Sequence, residues 1–497
     1  MIGSTLALTA YRATAEAWGE SFEFGHGPLD HLNVPLWAVA VFGADGVLCD
    51  GFGYGATLVD AQTSAWGEVA EWVLARQALA RLPRRWASYR ELQREGTAAV
   101  DPVALCLSAG THYTDDQPIT WVEGRAHPSG APTWLPIEAI APRQADIGTT
   151  PDGLYVPITN GLGAGTSLEH ALAHGILEAL QRDGNSVQYR AVDRGVAVTL
   201  DEVRDPQTRT LLDYLHAQGM EVIVKLATTE FGMANVYVVG YDREPERARF
   251  PITLSACGEA VHPDRERALA KAVREFVSAR ARKAFAHGPL AALRSVAPPG
   301  YVAHFRPRSL RNEDDRAFRE MRDWMQRSHA EFMAMLGPVF AVRERVAFSS
   351  LPTVAPEAVA APSALLALLT ERLAQAELPI FYVPFHAPGS AVFALKAVVA
   401  GLEVETMTYH RIGWRNVQRL IDRSLPIAGV GTPPNGAVPI MLRPAAEARL
   451  GGPAWFDPQA AERAVGPLYP LYREPGRHVL ALTNMEQRQA PADESAG

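Results

Sequence analysis

TNGLGAGTSLEHALAHGILEALQRD, residues 159–183, is the stretch that decides the fold of this 497-residue chain. It begins with a glycine-rich loop that contains Gly161, Gly163 and Gly165, and it then becomes a helix. Ser167 is predicted to cap that helix, because its hydroxyl can accept a backbone N–H of the first turn. Apolar residues follow at helical spacing, which predicts one packed face. A glycine-rich loop before a helix N-terminus is also typical of an anion site.

A glutamate recurs at the same point of this pattern in two other parts of the chain. Relative to Glu178, Glu68 occupies the equivalent position 110 residues earlier, and Glu275 occupies it 97 residues later. Solenoid repeats are about 20 to 50 residues long, so this spacing excludes a solenoid. The chain is instead predicted to contain three glycine-turn-helix units inside one large domain.

Composition and charge exclude several classes of protein. The 47% hydrophobic and 21% charged residues are ordinary for a globular protein, and the formal net charge of −8 argues against a nucleic-acid partner. The N-terminus lacks the basic segment and apolar run of a secretory signal. No apolar run is long enough to cross a bilayer. We therefore expect a cytoplasmic protein with no nucleic-acid and no membrane partner.

Helical and strand patterns alternate irregularly along the chain, which predicts an α+β (mixed α/β) fold. Residues 34–47 read as a hairpin, and residues 75–95 continue helical after the first unit. Further strands are predicted at 119–122, 221–227, 235–239, 380–383 and 394–399. Residues 310–335 and 363–377 are predicted to be helical.

The three aligned glutamates favour a cation and nucleotide site. Phosphate repels a carboxylate unless a cation lies between them, so glutamates that converge beside glycine turns indicate Mg²⁺ bound to a nucleotide polyphosphate. Glu68 and Glu71 face the same way because they are three residues apart on a helix. Arg182 and Arg280, near the ends of their helices, can contact phosphate oxygens. A P-loop is excluded, because no lysine follows a glycine.

Other interpretations of these residues stay open. A single glutamate on an amphipathic helix is most often only solvated. His170, His174 and Glu178 share one helix face and are a candidate zinc site, although zinc needs further ligands from elsewhere. Cys257 and His262 are a conceivable nucleophile pair, but nothing supplies an orienting third group. A small buried cysteine is the simpler interpretation.

Four stretches of the chain resemble the ATP-binding segments of the YcaO family. They are GYGATLVDAQTSAWGEVAEW (53–72), NGLGAGTSLEHALAHGILEALQRD (160–183), CGEAVHPDRERALAKAVREFVSAR (257–280) and VVAGLEVETMTYHRIGWRN (398–416). The resemblance covers residues 50–420 and implies a YcaO-like fold, with the repeated units packed on β-sheets around an ATP site. ATP and Mg²⁺ are the cofactors that it implies.

The resemblance also assigns roles to individual residues. The Mg²⁺ and triphosphate ligands that it implies are Glu68, Glu71, Glu178 and Glu275. The further cofactor-binding residues that it implies are Ser167, Gln181, Arg182, Ser278 and Arg280. The chain departs from the family pattern at Tyr54, which replaces a lysine, at Gln181, which replaces a glutamate, at Ser278, which replaces a glutamine, and at Ala400, which replaces a proline.

Members of this family activate a peptide backbone amide by ATP-dependent phosphorylation of its oxygen, and a nucleophile then determines the product. The chain ends in QAPADESAG and lacks the Pro-x-Pro-x-Pro tail of many azoline-forming relatives. It also shows no fused leader-binding domain. We therefore expect thioamide formation with a TfuA-type partner. The alternatives are azoline or amidine formation and a non-catalytic, substrate-binding scaffold.

Sequence character together with the resemblance predicts a domain division, and the resemblance implies partners. We expect an N-terminal approach segment at 1–50, a YcaO ATP-binding core at 51–290, a helical insertion with a proline-rich linker at 291–360, the C-terminal part of the YcaO domain at 361–485, and a disordered tail at 486–497. The expected partners are a precursor peptide, a TfuA-like or leader-binding protein and a second copy of the chain in a homodimer.

Overall fold

The computed structural model describes residues 2–148, 153–187, 190–305 and 314–483, so the predicted tail at 486–497 lies outside the described residues. Helices and strands alternate irregularly, which confirms the predicted mixed α/β class. The helices are α1 (Ile2–Glu16), α2 (Leu58–Leu79), α3 (Tyr89–Arg94), α4 (Ile137–Ile140), α5 (Leu168–Asn185), α6 (Pro206–Ala217), α7 (Arg265–His287), α8 (Leu290–Val296), α9 (Asp315–Gln326), α10 (His329–Phe340), α11 (Pro362–Gln375), α12 (Trp414–Asp422), α13 (Pro444–Leu450) and α14 (Pro458–Val465).

The strands form four sheets. The strands are β1 (Gly19–Gly25), β2 (Leu36–Gly43), β3 (Leu48–Tyr54), β4 (Arg84–Ser88), β5 (Pro118–His127), β6 (Pro132–Pro136), β7 (Leu162–Gly165), β8 (Val196–Thr199), β9 (Met220–Thr228), β10 (Ala234–Asp242), β11 (Cys257–His262), β12 (Glu344–Ala347), β13 (Ile380–Pro384), β14 (Phe393–Val399), β15 (Ala428–Val430), β16 (Val438–Pro439) and β17 (Ala454–Phe456). The strand orders are β1-β2-β3, β4-β5-β13-β14-β7 with β6 beside β5, β11-β10-β9-β8-β12, and β15-β17-β16.

Each of the three repeated units is a strand, a tight turn and a helix. The pairs are β3 with α2, β7 with α5 and β11 with α7, and the three strands belong to three different sheets. Thr57, Ser167 and Asp264 cap the three helices, and each side chain accepts a backbone N–H of the first turn. The prediction that Ser167 caps its helix is therefore confirmed.

Gly163 and Gly165 lie in strand β7, and Gly161 lies in the turn directly before it, so the prediction of a flexible loop at 161–165 is wrong for all but its first residue. Gly163 belongs to β7, and a Cβ atom there would lie 2.2 Å from the carbonyl oxygen of Ala171 on α5. Gly53 in β3 has the same relation to Ala61 on α2, at 1.7 Å. Glycine is needed at both places because the helix backbone packs directly on the strand.

Among the other predicted elements, the hairpin and the strands are confirmed and one helix is wrong. The hairpin predicted at 34–47 is confirmed, but its second strand, β3, begins at Leu48, just after the predicted range. The predicted strands at 119–122, 221–227, 235–239, 380–383 and 394–399 all lie within observed strands. The continuous helix predicted at 75–95 is wrong. Helix α2 ends at Leu79, four residues before Pro83. The proline ring disfavours a helical conformation at the residue before it, so the helix cannot continue through this position. Strand β4 and the short helix α3 follow instead.

The region from 291 to 360 joins the rest of the protein through a strand. Its strand β12 pairs in parallel with β8 and extends the sheet that carries β11. Helices α9 and α10 pack their apolar faces on that same sheet through Met321, Trp324 and Leu336. The division into the five predicted segments stays a prediction. Within the described residues, no helix combines the length and the apolar character that a membrane crossing requires.

Candidate functional site

Helices α2, α5 and α7 wall one cavity of ≈ 590 Å³. Because each helix follows a strand of a different sheet, the cavity lies where three sheets meet. Seven of the nine residues predicted for the site line it: Glu68, Glu71, Glu178, Gln181, Arg182, Glu275 and Ser278. The structure therefore brings together acidic side chains that are up to about 200 residues apart in sequence.

Backbone N–H groups orient three of the four glutamates. The Phe52 N–H donates to Glu68 Oε2 at 2.7 Å, and the Gly161 N–H donates to Glu178 Oε2 at 3.1 Å. Glu71 Oε1 accepts from the Ala164 N–H at 2.7 Å. Each bond uses one carboxylate oxygen, so the second oxygen of each group is available to a ligand.

The carboxylates of the cavity repel one another and are poorly solvated. Burial raises the pKa of Glu68 to about 7. Burial, together with the charges of Glu178 and Glu68, raises the pKa of Glu71 well above its ordinary value. Burial also raises the pKa of Glu275. A divalent cation among these groups would relieve both the repulsion and the lost solvation.

Two arginines present unpaired N–H groups inside the cavity walls. Arg182 and Arg282 line the cavity, and the Nε atom of each is buried with no hydrogen-bond partner in the described part of the chain. Lys271 lines the same cavity. A buried donor without a partner costs free energy, about 1–3 kcal/mol. These groups fit an anion such as a polyphosphate.

The side chains do not form a metal site by themselves. Among the residues that the structure describes, no three His, Cys, Asp or Glu side chains lie close enough together to hold a metal ion. Mg²⁺ usually keeps waters and takes one or two carboxylates together with substrate phosphates. The separated glutamates and the unpaired arginine donors therefore fit Mg²⁺ with a polyphosphate better than a bare metal.

Arg280 is a correction to the predicted site. It is fully buried and binds Asp30 Oδ2 at 2.7 Å, Asp242 Oδ2 at 2.9 Å and the carbonyl oxygen of Leu254 at 2.7 Å. Helical geometry explains the error, because Arg280 lies five positions after Glu275, about 140° away around the helix. A side chain on that face reaches the core and not the cavity.

Ser167 does not line the cavity either. Its hydroxyl accepts the backbone N–H of His170, which caps α5.

The zinc interpretation gains no support, although His170 and His174 line the cavity and His174 Nε2 lies 3.9 Å from Glu71 Oε1. A nucleophile pair of Cys257 and His262 is ruled out, because these residues sit at opposite ends of β11 and point to opposite faces of its sheet.

Sequence reasoning missed several charged residues that line or adjoin the cavity, among them Lys271, Arg282 and Glu259. Lys271 and Arg282 line the cavity, and both continue the helical stripe that Glu275 and Ser278 define on α7. The spacing of this stripe was a usable signal. Glu259 was not predictable in this way, because it belongs to β11 and binds Arg182 Nη1 at 3.1 Å.

Two departures from the family pattern have clear structural roles. Tyr54 lines the cavity and its hydroxyl donates to Glu275 Oε2 at 3.3 Å, so a neutral donor contacts that carboxylate where the family has a lysine. Gln181 is 3% exposed and its Nε2 donates to Glu259 Oε2 at 3.5 Å. A glutamate at this position would repel Glu259.

Two curated relatives share sequence with the chain. One is an uncharacterized protein of Methanothermobacter thermautotrophicus, 27% identical over 267 residues, which are 51% of this chain and 63% of that protein. The other is an uncharacterized protein in the tfuA 3′ region of Rhizobium leguminosarum bv. trifolii, 26% identical over 258 residues, which are 51% of this chain and 59% of that protein. The matches thus span about three fifths of the length of each relative.

Two solved structures have a similar fold. A YcaO protein of Methanopyrus kandleri bound with AMPPCP and Mg²⁺ gives a TM-score of 0.57 at 18% identity, over 82% of this chain and 94% of that one. A heterocyclase in complex with substrate and cofactor gives a TM-score of 0.53 at 16% identity, over 75% of this chain and 48% of that one. At these identities the likeness concerns the fold alone.

A family model identifies the chain more directly. The model described as YcaO cyclodehydratase, ATP- and Mg²⁺-binding, matches residues 52–403, well over half of the chain. This match includes all three glycine-turn-helix units. It confirms the prediction that ATP and Mg²⁺ are the cofactors. The chain belongs to the YcaO family.

Proposed function

We propose that this protein uses ATP to activate a backbone amide of a precursor peptide in ribosomal peptide natural-product biosynthesis. The observation that carries the proposal is the cavity itself, which is lined by four glutamates and by two arginines whose buried Nε atoms have no hydrogen-bond partner among the described residues. Carboxylates bind Mg²⁺, and arginine N–H groups bind phosphate oxygens. Few other ligands need both kinds of group in one place.

The residues of the cavity divide into two roles. Glu68, Glu71, Glu178 and Glu275 would hold Mg²⁺, and Arg182 would contact the phosphates together with Arg282, which takes the role predicted for Arg280. ATP supplies a transferable phosphoryl group, which turns the amide oxygen into a good leaving group. The protein's share of the catalysis is to position the reacting groups and to neutralise the charge that develops during transfer.

Thioamide formation with a TfuA-type partner is the form of this activity that we favour. One of the two curated relatives is named for its place in the tfuA 3′ region, which supports a pairing between this kind of chain and a TfuA protein. In this reaction an external sulfide is the nucleophile. We further propose that the protein is cytoplasmic and forms a homodimer.

Azoline formation is the second candidate, because the matching family model carries the description cyclodehydratase. Here the nucleophile is a Cys, Ser or Thr side chain of the peptide, and a leader-binding protein is the expected partner. A peptide amine as nucleophile would give an amidine. The products differ in mass, since a thioamide exchanges one oxygen for sulfur while an azoline or amidine loses one water.

The decisive experiment measures ADP release with Mg²⁺-ATP, a precursor peptide and a TfuA-type or leader-binding partner, followed by mass spectrometry of the peptide. Glu178→Ala is expected to abolish turnover, because it removes a cation ligand. Glu169→Ala is the matched control, since Glu169 lies on the same helix but does not line the cavity. This control is expected to retain wild-type turnover.

The same experiment separates an enzyme from a scaffold. ADP release that survives Glu178→Ala would contradict the assigned cation site. A wild-type protein that binds peptide and yet releases no ADP with any partner would instead be a non-catalytic, substrate-binding member of a modification complex. In that case the departures at Gln181 and Tyr54 become the first candidates for the loss of activity.

A further inference from the structure

A second and smaller cavity of ≈ 210 Å³ adjoins the first one at Arg182, which lines both. It lies between the C-terminal end of α5, strand β11 and the segment 404–409. The polar residues around it include Asn185, Arg190, Glu259, Glu405, Tyr409 and Tyr472. A group bound here would therefore lie next to the cavity that holds the glutamates.

Asn185 contributes an unsatisfied hydrogen-bond acceptor to this second cavity. Its side chain is 6% exposed, and its Nδ2 donates to Glu259 Oε2 at 3.1 Å. Its Oδ1 is buried and has no hydrogen-bond partner among the residues that the structure describes. A buried acceptor without a donor costs about 1–3 kcal/mol. A ligand that carries an N–H group would recover this free energy.

Glu405 contributes a second acceptor. It is 7% exposed, and its Oε1 accepts the backbone N–H groups of Met407 and Thr408 at 2.7 and 3.2 Å. Its Oε2 lies 3.8 Å from the nearest guanidinium nitrogen of Arg190, beyond hydrogen-bond distance. Asn185 and Glu405, which both line the second cavity, therefore each carry an oxygen atom that can accept a further hydrogen bond.

The charges around the second cavity are paired with one another. Glu259 binds Arg182 at 3.1 Å and Arg190 at 3.0 Å, and Arg190 also lies near Glu405. Two carboxylates and two guanidinium groups sum to a net charge close to zero. Such a site favours a neutral, polar, N–H-bearing group over an anion such as phosphate.

We propose that the second cavity binds the backbone amide of the peptide that is to be activated, with Asn185 Oδ1 accepting the N–H of that amide. This inference rests on the function proposed above and names the place of the acceptor substrate. In a trans peptide the N–H and C=O groups point in opposite directions. Anchoring the N–H at Asn185 thus leaves the carbonyl oxygen free to point toward Arg182 and the first cavity.

The test uses a terminally blocked triglycine, which offers backbone amides without side chains. Its affinity is measured by calorimetry for the full chain saturated with Mg²⁺-AMPPCP. Asn185→Leu is expected to weaken binding about tenfold, the value of one hydrogen bond to a buried acceptor. The affinity for Mg²⁺-AMPPCP itself is expected to stay within about twofold.

Asn235→Leu is the matched control. Asn235 is also a buried asparagine, and its Oδ1 also lacks a partner in the described part of the chain, but it does not line the second cavity. It is expected to bind triglycine like the wild type. If Asn185→Leu does not fold, Asn185→Ala and a wild-type crystal soaked with triglycine supply the same answer, because density in the second cavity locates the amide.

The outcomes separate this inference from the proposed function. A wild-type chain that binds no Mg²⁺-AMPPCP overturns the proposed function. A chain that binds the nucleotide but not triglycine, or that binds triglycine equally well after Asn185→Leu, overturns only the second cavity as the amide site. Displacement of triglycine by inorganic phosphate would show an anion site and would also overturn the inference.

Discussion

Arg182 and Arg280 look alike in sequence, yet the structure gives them opposite surroundings. Arg280 is fully buried, and its Nε, Nη1 and Nη2 atoms all donate hydrogen bonds, to Asp30, Asp242 and the carbonyl oxygen of Leu254. Arg182 shares Glu259 with other donors, lies 3.7 Å from Glu178, and keeps an unpaired Nε at the cavity. The comparison shows that a satisfied buried charge holds the fold, whereas a partly satisfied charge beside a cavity is available to a ligand.

The largest effect that would test this comparison is on stability. Arg280→Leu leaves Asp30 and Asp242 as buried carboxylates without their main counter-charge, which is expected to cost about 3–5 kcal/mol of unfolding free energy. Urea denaturation measures it. Arg182→Leu is the counterpart, with a stability loss of about 1 kcal/mol or less and a clear loss of Mg²⁺-AMPPCP affinity. Equal stability losses in the two variants would contradict the distinction.

Glu71→Gln is expected to move stability and affinity in opposite directions. The amide oxygen of glutamine can still accept the Ala164 N–H, while one of the crowded negative charges disappears. Without nucleotide, the urea midpoint should rise by an amount worth about 1 kcal/mol. Affinity for Mg²⁺-AMPPCP in calorimetry should fall about tenfold or more. A parallel fall of both quantities would assign Glu71 to the fold instead of the ligand.

His31 makes the stability of the Arg280 region depend on pH. Its ring nitrogens lie 3.1 Å from Asp242 and Asp30, and these contacts raise its pKa to about 9. The contribution is complete below the ordinary histidine pKa and is lost as the pH rises through about 9, with an expected size of about 1 kcal/mol. His31→Gln should remove this part of the pH dependence in urea titrations between about pH 6 and pH 10. An unchanged profile would show that His31 does not titrate with the cluster.

Tyr54→Phe is expected to have the smallest effect. It removes one hydrogen bond of 3.3 Å to Glu275, which is worth about 0.5–1 kcal/mol in Mg²⁺-AMPPCP affinity or in stability. Calorimetry and urea denaturation on the same sample divide the effect between the two. A loss of more than about tenfold in affinity would mean that the tyrosine has taken over the role of the family's lysine.

The sequence predicts correctly those features that depend on residues close together in the chain, such as a helix cap or a repeated spacing. Ser167 was identified as a helix cap from its position alone, and the glutamates of the three units were aligned by the spacing that repeats between them. The roles of these glutamates as ligands stay a prediction. The helical stripe from Glu275 also indicates Arg282 instead of Arg280 as the arginine of α7 at the cavity.

Long-range contacts could not be predicted in this way. The partners of Arg280 lie 250 and 38 residues away in sequence, and no spacing rule connects them. The glycine-rich pattern predicts a loop at Gly163, whereas the role of this glycine is to let α5 pack on β7. The Asn185 acceptor is equally invisible in sequence, because its environment comes from β11 and from the segment 404–409.

The helices that carry the glutamates follow strands of three different sheets, so the cavity among them, proposed above to bind the nucleotide, exists only after all three sheets have packed together. The measured nucleotide affinity of this protein would therefore report whether all three sheets have assembled. A shortened version that loses any one of these sheets should lose binding altogether. To transfer this site to another protein scaffold, all three strand–helix units would have to be transferred together.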